Sequence, residues 1–287
     1  MAGERRRRLR GRGRWRSALR RSGRYALLVI AAAVVAFPVY MTVVDALLTP
    51  HQLTSSPPAL FPTSPQWHTF ATAAGEGHLG LYLRNSAIVT ACITAAQLVT
   101  SVLGGYAFAF VELPLKRLAL GLCLATMMVP AEVTIFPNYR TIAVLGWVDT
   151  YPALIVPFVA SGLGIFLFRQ AFRQVPVELR EAARLDGYGH FRFLLRVAAP
   201  VCRPVIGAFA VFSFLAAWNQ YLWPLVVTRS DHVRTVQIGL KQLQGLNLDQ
   251  TDVIVAGTVL AALPILVILL VFQRQLVRGL TAGAVKG

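Results

Sequence analysis

Acidic side chains are scarce in this 287-residue chain: 12 Asp and Glu stand against 28 Lys and Arg, and charged residues of both signs make up only 14% of the total. An ordinary soluble domain carries about 25%. With 56% hydrophobic residues and a mean hydropathy of +0.59, the chain has too little polar surface to cover a soluble globule, and a bilayer is the medium that remains. Cysteine is sparse too. Cys92, Cys123 and Cys202 lie apart with no CxxC and no metal-ligand spacing, which excludes a disulfide framework and a zinc site. The histidines, His51, His68, His78, His190 and His232, show no HxxxH spacing, and neither HExxH nor GxSxG occurs; no catalytic residue and no metal are expected. A GxxxxGK[ST] phosphate loop is also missing, so this chain has no means of its own to cradle a nucleotide triphosphate.

What is present in quantity is apolar sequence. A helix needs about 20 apolar residues to cross the hydrocarbon core. Six stretches approach that length: Tyr25 to Leu48, Ser86 to Phe110, Leu118 to Phe136, Ala153 to Phe168, Val205 to Val227 and Val253 to Phe272. The fold class read from them is all-α integral membrane protein with six transmembrane helices. Net charge is +16, yet 11 of the 28 basic residues fall within residues 1–24, so the figure describes a tail and not a nucleic-acid surface. With that tail in the cytoplasm, 23 Lys and Arg lie inside and five outside, a strong positive-inside signal. The expected organisation is a basic cytoplasmic tail (1–24), a transmembrane unit (25–275) and a cytoplasmic C-terminal tail (276–287) in the inner membrane. The first apolar run exceeds the roughly 7 to 15 residues of a secretory signal, so it is expected as an uncleaved helix kinked at Pro38. The tail before it has no apolar period and is expected to lack regular structure, drawn to anionic lipid headgroups at about 1 kcal/mol per basic residue and not to nucleic acid. Between the first two spans, Pro50, Pro57, Pro58, Pro62, Pro65 and Trp67 predict an extended external segment, either a docking surface or a cover over helix ends.

The segment Arg169 to Pro204 reads as two short helices joined by a glycine turn. Pro176 suits a helix start, Glu178 and Glu181 follow near the positive end of the dipole, and Gly187 supplies a left-handed stop, placing the first helix at Val177 to Asp186. Leu179, Ala182 and Ala183 share a shallow apolar face that another surface could approach closely. In the second helix Phe191, Leu194, Leu195 and Ala198 form the apolar stripe, Arg192 and Arg196 share another face, and Pro200 marks the end. Periodicity alone leaves open an amphipathic hairpin lying on the membrane.

Glu181-Ala182-Ala183, then Gly187 after three residues, Val197 after nine more, and Ala199-Pro200 resemble the EAA loop, residues 176–204 here, of permease subunits of ATP-binding-cassette importers. Ala199 departs from the Leu common in that family. The resemblance implies a rigid lever seated in a cleft of an ATPase subunit, whose ATP-driven closure rotates the transmembrane helices. In that role Ala182 and Ala183 allow close seating, Glu181 and Asp186 offer carboxylates to basic partners, Gly187 sets the interhelical angle and Pro200 anchors the end. ATP and Mg then belong to two partner ATPase copies, with no cofactor in this chain; the further implied partners are a second permease subunit and an external solute-binding protein. MMVPAEVTIFPNY, FLFRQAF, AAWNQYLWPLVVT and the ending GLTAGAVKG are similar to carbohydrate-type permeases, the second permease of maltose-like and glycerol-3-phosphate-like importers. WNQYLWPL and PAEVTIFP look like the glycerol-3-phosphate branch and GLTAGAVKG like the maltose branch. Di- or oligosaccharide ranks first as solute, sn-glycerol-3-phosphate or a glycerophosphodiester second.

For the substrate pathway the candidates are Glu132, Asn219, Gln220 and Tyr221. Glu132, between Pro130 and Pro137, is an ionisable group within a span and is either a pathway residue or a paired helix contact. Asn219 and Gln220, flanked by Trp218, Tyr221 and Trp223, combine amides with aromatic faces as sugar sites do, although interfacial belts and helix contacts use the same residues. Arg140, Arg229, Arg234 and Lys241 are the external cations that would suit a phosphate-bearing solute. Two rivals stand beside this reading: a secondary transporter, poorly supplied with intramembrane acids, and a membrane scaffold, which would leave Glu132, Asn219 and Gln220 without a shared cavity.

Overall fold

The computed structural model describes the backbone of residues 2–75, 78–246 and 251–281 and the side chains of residues 23–75, 78–245 and 251–275. The side chains of the two tails, including GLTAGAVKG, lie outside the described residues. Helix α1 runs from Ala2 to Asp45, so the backbone of the basic tail is helical, contrary to the expectation above. Arg, Leu and Ala are strong helix formers and no proline intervenes before Pro38, which suffices without an apolar period. From Tyr25 to Tyr40 this helix is exposed along its length, and it packs on the last helix.

The proline-rich segment contains two short helices. Thr49 and Gln52 form a reciprocal capping box at the start of α2 (Pro50–Leu53), and α3 (His68–Gly75) buries Thr69 and Ala73 against the bundle. Helix α4 (Leu79–Phe110) begins before the expected Ser86 because Leu79, Tyr82 and Asn85 are also buried. The third span is broken. Helix α5 (Lys116–Ala125) passes through a 3-10 turn to Met128, and α6 (Ala131–Val144) leaves at 101°. Pro130 pushes Val129 to extended backbone (φ −85°, ψ 117°), the conformation that a following proline favours, so the continuous helix expected over Leu118 to Phe136 does not form.

The fourth span is α7 (Tyr151–Ile155), a 3-10 turn and α8 (Gly162–Phe172), with a 43° bend between the two pieces. Helices α9 (Val177–Leu185) and α10 (His190–Phe193) follow; the latter continues through a π turn, Leu194–Ala198, into α11 (Ala199–Val201). Pro200 therefore sits inside this continuous stretch and does not end it; the chain turns at Cys202 by 82° into α12 (Arg203–Trp218). The fifth span is completed by α13 (Leu222–Val227) beyond a break at Asn219 to Tyr221. Helix α14 (Val236–Leu246) lies at the far end and α15 (Thr251–Thr281) is the sixth span. Among the described residues three helices are long and apolar enough to cross a membrane alone, and three bent pairs, the last joining His190–Val201 to α12, bring the number to as many as six.

Helices α4 and α8 approach each other closely. A Cβ at Gly105 would stand 2.5 Å from Phe168 Cβ and 2.8 Å from the Arg169 nitrogen, so only glycine permits this backbone approach. Gly105→Ala is expected to destabilise the fold by about 1–3 kcal/mol through overpacking. Gly121→Ala, where a Cβ meets nothing within 4 Å, serves as the neutral comparison; thermal unfolding in detergent checks the pair, and equal midpoints would contradict the packing argument.

Candidate functional site: a cavity between two broken helices

The two helix breaks face one another. Ala131, Glu132, Thr134, Ile135 and Asn138 of α6, Phe158, and Asn219, Gln220, Tyr221, Leu222 and Trp223 at the α12–α13 junction line one cavity of about 340 Å³. Non-helical backbone at membrane depth is tolerated where it lines such a cavity. At the junction the Asn219 and Gln220 nitrogens still donate to Leu215 and Ala217 carbonyls (3.1 and 3.3 Å), but Pro224, which has no N–H, prevents continuation until α13 has restarted. The flanking indoles clamp the break. Trp218 Nε1 donates to the Ala261 carbonyl at 3.1 Å and Trp223 Nε1 to the Ala153 carbonyl at 3.0 Å, both buried. Their N–H groups are thus engaged by protein, and Trp218 does not line the cavity.

All four predicted pathway residues meet here. Glu132 is exposed, in the first turn of α6, where the helix dipole favours a carboxylate; it is neither buried in the middle of a continuous helix nor paired in a salt bridge among the described residues. Asn219 Nδ2 donates to the Leu215 carbonyl at 2.9 Å, and its Oδ1 accepts from Gln237 Nε2 at 3.4 Å. Thr134 and Asn138 were missed. Glu132, Ile135 and Asn138 recur every three residues, a pattern that points to one wall only once the helix is known to begin at Ala131. A shared cavity removes the argument for a plain scaffold.

Beyond the cavity, the end of the bundle opposite the 176–204 loop is tied by polar contacts. Asn85 is fully buried: its Nδ2 donates to the carbonyls of His232 and Arg234 (2.9 and 3.0 Å), and its Oδ1 accepts from the Tyr151 hydroxyl (2.8 Å). Ser86 Oγ accepts from the Val236 nitrogen at 2.7 Å. Asp149, in left-handed backbone (φ 67°), accepts from the Arg229 and Ser230 nitrogens at 2.7 and 2.9 Å. Burial raises its pKa, but those donors outweigh it and hold the carboxyl below the usual carboxylate range. The Tyr82 hydroxyl, aided by Arg234, likewise lowers Asp231 against the opposing effect of burial. Asn85→Leu is expected to cost about 2–4 kcal/mol, since two carbonyls and a hydroxyl lose their buried partner. A large drop in unfolding temperature with spans still inserted is the anticipated result; an unchanged midpoint would contradict it.

At the other end, the 176–204 loop is fastened to the bundle. Ala183, Phe193, Leu194 and Ala198 join Tyr106, Phe168, Phe172 and Phe209 in one buried cluster. Tyr106 Oη lies 3.0 Å from His190 Nδ1, Phe110 meets Phe193 edge-on at 5.5 Å, and Arg180 stands 5.4 Å over the Phe110 ring. Gly187 adopts φ +76°, and its nitrogen donates to the Arg184 carbonyl at 3.0 Å, as the left-handed stop requires. Two expectations are corrected. Ala183 is only 5% exposed and belongs to the inner face, not to an outward docking face. Leu194 and Ala198 of the expected apolar stripe are buried, but Phe191 and Leu195 are 68% and 55% exposed and Phe193 is buried in their place; the contacts of His190 with Tyr106 and of Phe193 with Phe110 centre the inner face nearer the start of the helix. The outward surface carries Val177, Glu181, Ala182, Leu185, Asp186 and Phe191, with Leu185 90% exposed.

A multi-span helical membrane domain with a cavity between discontinuous helices and a helical hairpin fastened to one end has the build of a transporter's transmembrane subunit. Residues 101–282 match the model of the binding-protein-dependent transport system inner membrane component family. The sn-glycerol-3-phosphate transport system permease protein UgpE of Yersinia pestis is 35% identical over 264 residues, covering 89% of this chain and 94% of that protein. UgpE of Brucella abortus is 33% identical over 269 residues with the same coverage. Among solved structures, a bacterial ABC transporter involved in import of the acidic polysaccharide alginate superposes with a TM-score of 0.76 at 22% identity, covering 87% of this chain and 94% of that one. The alginate transporter in complex with its alginate pentasaccharide-bound periplasmic protein gives 0.62 at 14% identity. The chain belongs to the binding-protein-dependent inner membrane components: it is a multi-pass ABC importer permease of the carbohydrate type.

Proposed function

We propose that this permease, with its N- and C-termini and the 176–204 loop in the cytoplasm, lines one wall of the import pathway and receives the stroke of ATP hydrolysis through that loop. The cavity joining Glu132, Asn138, Asn219, Gln220 and Tyr221 carries the reading, because carboxylate and amide oxygens accept from solute hydroxyls while Tyr221 and Phe158 offer apolar faces. Its partners are a second permease subunit, two ATPase copies that bind ATP and Mg, and an external solute-binding protein. Glu181, Ala182 and Asp186 face the ATPase, while Ala183, Gly187 and Pro200 shape the lever from behind. The solute we infer is a small polyol phosphate of the sn-glycerol-3-phosphate kind, supported by the transport names of relatives about one-third identical over most of both chains. Di- or oligosaccharide is the second reading, favoured by a cavity of about 340 Å³, roomy for a three-carbon solute. Uptake by the reconstituted complex with its binding protein, comparing radiolabelled sn-glycerol-3-phosphate with disaccharides, with and without ATP, tests both. ATP-dependent uptake of the phosphate supports the first solute; ATP-dependent uptake of disaccharide alone moves the chain to the second. Uptake driven by an ion gradient without ATP overturns the importer reading in favour of a secondary transporter.

A further inference from the structure

Tyr221 has two sides. One lines the main cavity; the other lines a recess of about 160 Å³ shared with Thr228, Arg234, Lys241 and Gln242. Of the four external cations that sequence offers to a phosphate, two, Arg234 and Lys241, converge on this recess, and Arg140 and Arg229 do not. Arg229 instead reaches the Tyr139 hydroxyl at 3.3 Å. Among the described residues no carboxylate lines the recess. The nearest acid in the network, Asp231, is occupied: it accepts from the Tyr82 hydroxyl at 2.6 Å and from Arg234 Nη1 at 2.8 Å. That pairing orients the guanidinium while leaving its other N–H groups free to bind a second acceptor, since arginine carries five donors in a fixed fork. Lys241 meets no carboxylate among the described residues; its Nζ reaches only Gln244 Oε1, at 3.4 Å. The recess is therefore cationic, its arginine is held in place by Tyr82 and Asp231, and it adjoins a cavity whose own walls carry a carboxylate and neutral amides. An anionic group is repelled by Glu132 and attracted by Arg234 and Lys241, so a solute with hydroxyls at one end and an anion at the other is sorted end for end across Tyr221.

We propose that this recess is an anion subsite that holds the phosphate of the transported solute while the main cavity holds its hydroxyls. The inference rests on the polyol-phosphate reading above and adds the residues that select the charge. A phospholipid headgroup or free phosphate has the same chemistry, and the test separates these sources.

The experiment uses the complete complex, with binding protein, in phosphatidylcholine vesicles, and measures ATP-driven uptake of radiolabelled sn-glycerol-3-phosphate over a range of concentrations. Lys241→Gln is expected to raise KM about tenfold with the maximal rate nearly unchanged, Lys241→Arg to stay near the parent, and Lys241→Glu to abolish uptake at low solute. Arg234→Gln should act in the same direction, but it also disturbs Asp231, so Lys241 carries the test. Inorganic phosphate should compete weakly in the parent and lose that effect in Lys241→Gln. Unchanged KM in Lys241→Gln, in a complex that does carry the phosphate ester, overturns the subsite and leaves the solute reading standing. Uptake of neutral disaccharide alone overturns the solute reading and the subsite with it. Uptake that follows added phosphatidylglycerol, with a Lys241→Gln defect that disappears in its absence, identifies a lipid headgroup as the occupant and also overturns the proposal.

Discussion

Gly187→Pro is expected to abolish ATP-driven uptake while the complex still assembles and hydrolyses ATP. Gly187 holds φ at +76°, whereas proline fixes φ near −65° and has no N–H, so the bond from the Gly187 nitrogen to Arg184 is lost and the turn cannot close as it does here. A cost of about 3 kcal/mol corresponds to roughly a hundredfold fall in the population of correctly angled loop. The spans are untouched, so membrane insertion should be normal. Gly187→Ala, which pays only about 1–2 kcal/mol in the left-handed region, should retain measurable transport. A charge at Ala183 should also uncouple, but from the opposite side: Ala183 is packed in the cluster with Tyr106 and Phe193, so Ala183→Glu would lift the hairpin off the bundle instead of blocking its outer surface. Normal uptake in Gly187→Pro would contradict the lever assignment.

The second large effect concerns the cavity. Glu132→Ala is expected to raise KM for the solute about 10- to 100-fold, the value of a hydrogen bond to a charged acceptor, with little change in the maximal rate. Asn219→Ala should raise it about two- to tenfold, as befits a neutral amide that already shares its Nδ2 with the Leu215 carbonyl. The charge on Glu132 separates this from a structural effect: Glu132→Gln should recover part of the affinity if hydroxyl acceptance is what matters. Concentration-dependent uptake checks the set, and unchanged KM in both alanine variants would remove the cavity from the pathway.

Much of this arrangement was legible in the chain. The apolar runs located the spans because backbone in lipid has few alternatives to helix, and Pro176, Gly187 and the acidic first turn gave the hairpin its bounds to within a residue. Glu132, Asn219, Gln220 and Tyr221 stood out because polar and ionisable groups are costly at membrane depth. The helix breaks were harder to read. Pro130 and Pro224 lie beside the two breaks, but the 101° turn after Met128 depends on what receives α6. The inner face of the second hairpin helix was only partly read, because the partners that seat His190 and Phe193, Tyr106 and Phe110, lie far along the chain and leave no mark in local periodicity. Asn85 left no signal at all: its partners lie at His232 and Arg234, and one polar residue in an apolar run does not reveal contacts so distant along the chain. In the basic tail, helix propensity outweighed the lack of an apolar face.

The central claim is that the hairpin at 176–204 is the point at which an ATPase subunit pushes on this permease. Its three cysteines are unpaired and can be replaced, leaving a single cysteine introduced as Leu185→Cys at the most outward position of α9. Cross-linking of that cysteine to the ATPase subunit in the assembled complex, with a yield that changes when ATP is bound, is the predicted result. Failure to cross-link with any reagent length, in a complex that still takes up solute, would contradict it.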